Sequence, residues 1–152
     1  MENLTILKET VINAYSKANE ANKDLLENLF GTEVFVETLM DRIKTLDDAL
    51  EYNGVSKSHF EEMTKCDTDG QRAGKELEQI AKALREGKPL RMDQEWYYPY
   101  FKRTLGSFSF CTYCCHDGAG IGARLSVDSS DKAIYMGKQF VDIYNRYLTP
   151  EK

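Results

Sequence analysis

The hydrophobic period of this chain changes near residue 95, and this change limits the possible folds more than any other feature. Before it, apolar residues recur every three or four positions, as Ala73, Leu77, Ile80 and Leu84 do, which is the spacing of one helical face. After it, apolar and polar residues alternate in short stretches, which is the period of a strand. The sequence therefore predicts helices first and strands later.

Three strands and one helix are predicted after the change. The strands cover residues 96–105, 107–115 and 121–127, with glycine-containing turns between them. The final helix begins at Ser129 or Ser130, and one apolar stripe of it should pack on the strands: Ala133, Gly137, Phe140, Val141, Tyr144 and Leu148. We expect an α+β fold, with an N-terminal helical layer followed by a three-stranded antiparallel meander packed against a C-terminal helix.

The helical layer should form one domain with the strands, because 152 residues are about the size of one ordinary domain. We expect a single domain 1–152, with a helical part at 1–88 and a strand-rich part at 89–152. Its helices are predicted near residues 3–18, 22–30, 38–43, 45–53, 56–63 and 71–86. In the second helix we expect Leu25, Leu26, Leu29 and Phe30 to face inward. Thr45 and Asp48 match a variant of the capping box.

Charge and composition narrow the function classes. Residues 1–95 carry 13 Lys+Arg and 20 Asp+Glu, a net charge of −7, whereas residues 96–152 carry 7 and 5, a net charge of +2. An acidic chain is a poor candidate for non-specific nucleic-acid binding, and only its C-terminal part has a charge that would allow it. The N-terminus lacks the pattern of a secretory signal, and apolar runs are too short to cross a membrane. We expect a cytoplasmic protein with reduced cysteines.

Several segments along the chain form a recognisable set: Leu29-Phe30-Gly31, Arg42-Ile43-Lys44-Thr45, Ile80 to Gly87, Tyr97 to Phe101, Ile121 to Leu125 and Ala133 to Phe140. In these segments the chain resembles a family of small uncharacterised proteins of phages and mobile elements of gut bacteria. The chain departs from the family pattern at Ala123, where a serine is expected, and in its cysteine-rich hairpin. The resemblance implies an accessory factor that handles DNA or counters a host defence, with no established activity, and it implies a host-cell cytoplasmic location.

The strongest candidate site is an aromatic and basic face of the first strand. Trp96, Tyr98 and Tyr100 could stack on bases, and Arg103 and Arg124 could hold phosphate. Two alternatives stay open. The aromatic rings could all belong to the core, and Arg124 could form a structural salt bridge.

The cysteine-rich hairpin is a weaker candidate. Cys111, Cys114 and His116 include a C-x-x-C with a nearby histidine, which is half of a typical zinc site. Because the second half is missing, we expect no metal and no cofactor. Neither a nucleophile beside a base nor a carboxylate pair is evident, so we expect no enzyme.

The sequence therefore predicts a non-enzymatic binding protein whose partner is nucleic acid or a nucleotide-like ligand. The alternative is a protein–protein interaction module. In that case the acidic helical surface binds a host or virion protein or drives homo-oligomerisation.

Overall fold

The protein is mainly helical. The computed structural model describes residues 8–36, 38–91, 94–104, 107–116 and 123–149, of which residues 8, 9, 33, 103, 104, 107–109, 111–116 and 123 are described by their backbone alone. The described helices are α1 Lys8–Ser16, α2 Glu20–Phe30, α3 Leu39–Arg42, α4 Leu46–Tyr52, α5 Lys57–Met63, α6 Asp69–Leu84, α7 Ser130–Gln139 and α8 Val141–Leu148. The described strands are β1 Trp96–Thr104 and β2 Ser107–His116, which pair antiparallel.

The predicted α+β class and its three-stranded meander are wrong. The first two predicted strands occur as β1 and β2, but the described part of the third one is a 3-10 turn, Ala123–Leu125. Only Val127 pairs with a strand, through a single antiparallel bridge to Tyr97. The cause is a tertiary contact, because the buried Arg85 donates through Nη1 to the carbonyls of Arg124, at 3.1 Å, and Ser126. These carbonyls are thereby satisfied without a ladder.

The chain divides into two compact units, Met1–Thr38 and Leu39–Lys152. The first contains α1, α2 and a 3-10 turn, Thr32–Val34. The second contains α3 to α8 and the hairpin. That all 152 residues form one domain stays a prediction.

The core of the second unit is built around α6. This helix begins with a capping box, in which the Thr68 hydroxyl accepts from the Gln71 N–H and the Gln71 side chain accepts from the Thr68 N–H. One face of it, with Ala73, Leu77 and Ile80, is fully buried. The packing partners of this face come from α4, α7 and α8 and include Ala49, Met136 and Tyr144.

The C-terminal helix that the sequence predicts is two helices, α7 and α8, which meet at Phe140. Its predicted stripe is nevertheless directed inward, since Ala133, Gly137, Phe140 and Tyr144 are buried. Gly137 contacts the hairpin directly. A Cβ atom on it would overlap the Phe110 ring and lie 2.8 Å from the Pro99 Cβ atom.

A buried ion-pair network joins α6 to α8. The Glu76 carboxylate, only 4% exposed, accepts from Arg72 Nε at 3.2 Å and from Arg146 Nη2. Arg146 also donates through Nη1 to Asp69 at 2.9 Å. Because a buried carboxylate is costly without partners, this pairing fixes α8 against α6.

Candidate interaction surface

The first aromatic residue of the predicted stacking face is part of the interior. Trp96 is 4% exposed, and its indole Nε1 donates to the Arg91 carbonyl at 2.6 Å. The Trp96 ring is therefore covered by its own chain and offers no open face for a base.

The next two aromatic residues share the outer face of β1. In this strand Tyr97 and Phe101 pack toward the core, so the alternating positions, Tyr98 and Tyr100, lie on the other face. Tyr98 is half-buried, whereas Tyr100 is 47% exposed. Lys102 continues this face and is exposed. The outer face of β1 thus offers the exposed ring of Tyr100, with the cationic side chain of Lys102 two positions further along the strand.

Arg124, one of the two predicted phosphate-binding arginines, does not lie on this strand face. Arg124 lies in the 3-10 turn, not on a strand, and its guanidinium Nη1 is 3.6 Å from the Glu78 carboxylate. Its side chain is 80% exposed, so this ion pair is a weak one. The side chain of Arg103 lies outside the described residues.

Arg85, which sequence analysis did not single out, holds the turn that carries Arg124. Burial lowers the pKa of Arg85, because the charged guanidinium is removed from water. Its two hydrogen bonds to backbone carbonyls make it a structural residue. A lone arginine in a helix end gives no sequence signal for this role.

The candidate metal ligands of the hairpin are described by their backbone alone. The side chains of Cys111, Cys114 and His116 lie outside the described residues, although their backbone belongs to β2. The β1–β2 register shifts between Tyr100 and Phe101 and passes over residue 111, which is a bulge. Among the residues that are described, no group of three or more His, Cys, Asp or Glu side chains could hold a metal ion.

Helix α2 in the first unit has an exposed apolar surface that the sequence did not predict. Asn19 caps this helix by accepting from the Asn22 N–H at 3.0 Å, and Gly31, with φ of 83°, ends it. None of its residues is fully buried. Leu25 is 56% exposed and Leu29 is 65% exposed, so the prediction that they face inward is wrong.

The side of α2 that its own unit holds carries Lys23 and Glu27, and Leu26 and Phe30 are half-buried on that same side. The Tyr15 hydroxyl donates to the Glu27 carboxylate, and the Lys23 ammonium lies 5.8 Å from the centroid of the same ring. The hydrogen bond to Glu27 raises the pKa of Tyr15. Glu27 and Lys23 are about 160–200° around the helix from Leu25. The apolar stripe therefore points away from the contacts that hold α2.

We name the outward side chains of α2 the leucine stripe, defined as Ala21, Leu25 and Leu29, all of them exposed. Their spacing of four residues places them in one row along the helix. Residues 1–38, which contain the stripe, carry three Lys+Arg and seven Asp+Glu, a net charge of −4 out of −5 for the chain. The stripe is thus an apolar row on an acidic unit.

Comparison with known proteins does not assign the chain to a family. No protein-family model, curated protein or solved structure matches the sequence. The resemblance to phage and mobile-element proteins therefore stays a prediction. Within the described residues, no helix is both long and apolar enough to cross a membrane.

Proposed function

We propose that this protein is a non-enzymatic protein–protein interaction module that binds through the leucine stripe of α2. One observation carries the proposal: α2 makes its contacts within its own unit on the side of Glu27, and Leu25 and Leu29 on the other side stay exposed. Complete burial of a leucine side chain gains about 1.5–3 kcal/mol, and roughly half of that gain is still open to Leu25 and Leu29. An apolar row along one side of a helix is the feature that helix-in-groove interfaces use.

The partner is a host or phage protein in the cytoplasm, in keeping with the family that the sequence resembles. An accessory or counter-defence factor of that kind acts by occupying a surface of its target. Such a role requires no catalytic group, only an exposed apolar row and a charge that favours one partner over others.

Site-specific photo-crosslinking in cells that natively carry the gene tests this proposal. A photoreactive residue at Asn28, which is exposed beside the stripe, should form a discrete crosslink to another protein. The matched control is the same residue at Ser58, an exposed polar position of the second unit, which should give no such product. Leu29→Ser should remove the crosslink from Asn28. A product that persists in this variant, or that forms equally at Ser58, contradicts the proposal.

Nucleic-acid or nucleotide binding on the outer face of β1 is the second candidate. The exposed Tyr100 ring with Lys102 nearby favours it, since stacking on an open aromatic ring contributes about 1–3 kcal/mol per base. Fluorescence anisotropy with a labelled single-stranded oligonucleotide is the test. Binding should weaken with salt and should weaken about tenfold in Tyr100→Ala, whereas Tyr147→Ala, an exposed tyrosine on α8, is the matched control. Equal loss in both variants would contradict a site on β1.

A further inference from the structure

The acidic surroundings of the leucine stripe identify the chemistry of its partner. We infer that the stripe binds a basic amphipathic helix of another protein, apolar on one face with lysine or arginine on the flanks of that face. This inference rests on the proposed function and specifies the partner of the same surface.

The shape of the stripe suits a helix. The eleven residues of α2 span about 16 Å, which is three turns. Ala21, Leu25 and Leu29 form an i, i+4 ridge of the kind that packs into the groove of a second helix. Ala21 has the smallest side chain of the three and allows a close approach at the N-terminal end of the ridge. The neighbouring positions, Asn22 and Asn28, are exposed amides that can hydrogen-bond at the rim.

The charged residue beside the ridge is acidic. Asp24 is exposed and lies about 100° around α2 from Leu25. The only cation of the helix, Lys23, is 3.0 Å from the Glu20 carboxylate and lies over the Tyr15 ring, so it is turned toward its own unit. The net charge of −4 on residues 1–38 attracts a basic partner and speeds the encounter with it.

The same charge argues against a second copy of this chain as the partner. Two first units would each bring a net charge of −4 to the contact. A basic helix gains attraction where a second copy meets repulsion. Because two leucines and one alanine offer far less than the roughly 1,000 Å² of a stable interface, we expect a weak complex with a micromolar Kd.

Model peptides provide a direct test with the full-length protein. The probe is an 18-residue helical peptide of leucine and lysine with one apolar face, labelled for fluorescence anisotropy. Two further peptides serve as references: one with glutamate in place of each lysine, and one with the lysine peptide's composition in scrambled order. We expect the leucine–lysine peptide to bind with a micromolar Kd, and each of the other two to bind at least tenfold more weakly.

Three variants locate the binding. Leu25→Ser with Leu29→Ser should weaken the leucine–lysine peptide at least tenfold. Met63→Ser replaces a residue of the second unit that is 47% exposed, and it should change the Kd less than twofold. Asp24→Lys keeps both leucines and should still weaken binding several-fold and lower its dependence on salt. The last variant keeps the test valid if the double serine variant does not fold.

The outcomes separate the inference from the proposed function. Equal binding of the scrambled peptide shows attraction by charge alone and overturns the inference. The leucine–glutamate peptide could bind in a way that depends on the stripe, or sedimentation could show a dimer that the double serine variant abolishes. Either result overturns the inference but keeps the stripe as an interface. A third outcome is that no association depends on Leu25 and Leu29, and that the double serine variant has a lower melting temperature. The two leucines are then covered by the chain itself, and the inference and the proposed function are both wrong.

Discussion

The contact between α7 and the hairpin depends on a missing side chain. Gly137→Ala would gain about 1 kcal/mol in helix propensity. It would also place a methyl group against the Phe110 ring and 2.8 Å from the Pro99 Cβ atom, and overpacking of this kind typically costs about 1–3 kcal/mol. Because both neighbours are part of a packed layer, we expect a net loss of up to about 2 kcal/mol in the free energy of unfolding, measured by urea denaturation.

Gly74→Ala is the matched control for this substitution. Gly74 is also in a helix, α6, but a Cβ atom there would lie 3.1 Å from the ring of Tyr147, which is 42% exposed and can move outward. We expect an unchanged free energy of unfolding or a gain of up to about 1 kcal/mol. Equal stabilities of the two alanine variants would show that the hairpin yields to the added methyl group.

Sequence patterns at the residue scale identify shared faces but not the direction in which a face points. Leu25 and Leu29 lie in one row, as their spacing predicts, yet the row faces outward because Glu27 and Lys23 bind Tyr15 on the other side. Trp96 and Tyr100 likewise belong to one alternating set, but the first is covered and the second is open. Long-range contacts decide between these outcomes, and no local pattern contains them.

At the scale of helices and strands, the sequence correctly predicts helix caps and amphipathic faces. The Thr45–Asp48 capping box is confirmed, and Gly31 ends α2 as expected. Helix α6 begins at Asp69, slightly before the predicted start at residue 71, with Thr68 as its N-cap. The predicted third strand is not formed, although residues 121–127 alternate well, because the buried guanidinium of Arg85, which follows α6, binds two carbonyls of this segment. Alternation predicts a strand only where the backbone groups of the segment remain free to pair with a neighbouring strand.

The capping box of α4 should give the protein an acid-sensitive component of stability. The Asp48 carboxylate accepts from the Thr45 hydroxyl at 2.8 Å and from the N–H groups of Thr45 and Lys44 at 2.7 and 3.0 Å. The Thr45 hydroxyl contributes most to lowering the pKa of Asp48 below its ordinary 3.8, and the two N–H groups add to it. A lowered carboxyl pKa stabilises the fold above 3.8, and this stabilisation is lost as the pH falls through the lower folded-state value.

Two measurements check this component. A carboxyl-carbon NMR titration should give Asp48 a midpoint below 3.8, and Thr45→Val should move that midpoint upward. The stability advantage of the native chain over Asp48→Asn should shrink as the pH is lowered from about 5 to about 2. A midpoint at or above 3.8 in the native chain would mean that the capping hydrogen bonds are not formed in solution.

Considered as a whole molecule, the two units differ in how much apolar surface they bury. Among the described residues, every fully buried apolar side chain except Val11 belongs to the second unit. The first unit is held instead by polar and aromatic contacts, such as the stacking of Tyr15 on Phe35 at a centroid distance of 4.1 Å. Apolar burial is the dominant favourable contribution to folding, so the intrinsic stability of the first unit should be much the smaller of the two.

Native-state hydrogen exchange measures this difference. The amides of α2 should exchange by local opening, with a free energy well below that of the buried amides of α6, which should exchange only through global unfolding. Leu29→Ser should leave the protection of α6 unchanged. The leucine–lysine peptide should raise the protection of α2 specifically, because a ligand stabilises the state that it binds. If α2 and α6 instead open together, α2 is stabilised as strongly as the core. The two units would then not differ in stability as their apolar burial predicts. Protection of α2 that the leucine–lysine peptide leaves unchanged would contradict binding at the leucine stripe, because a bound ligand must stabilise the helix that it contacts.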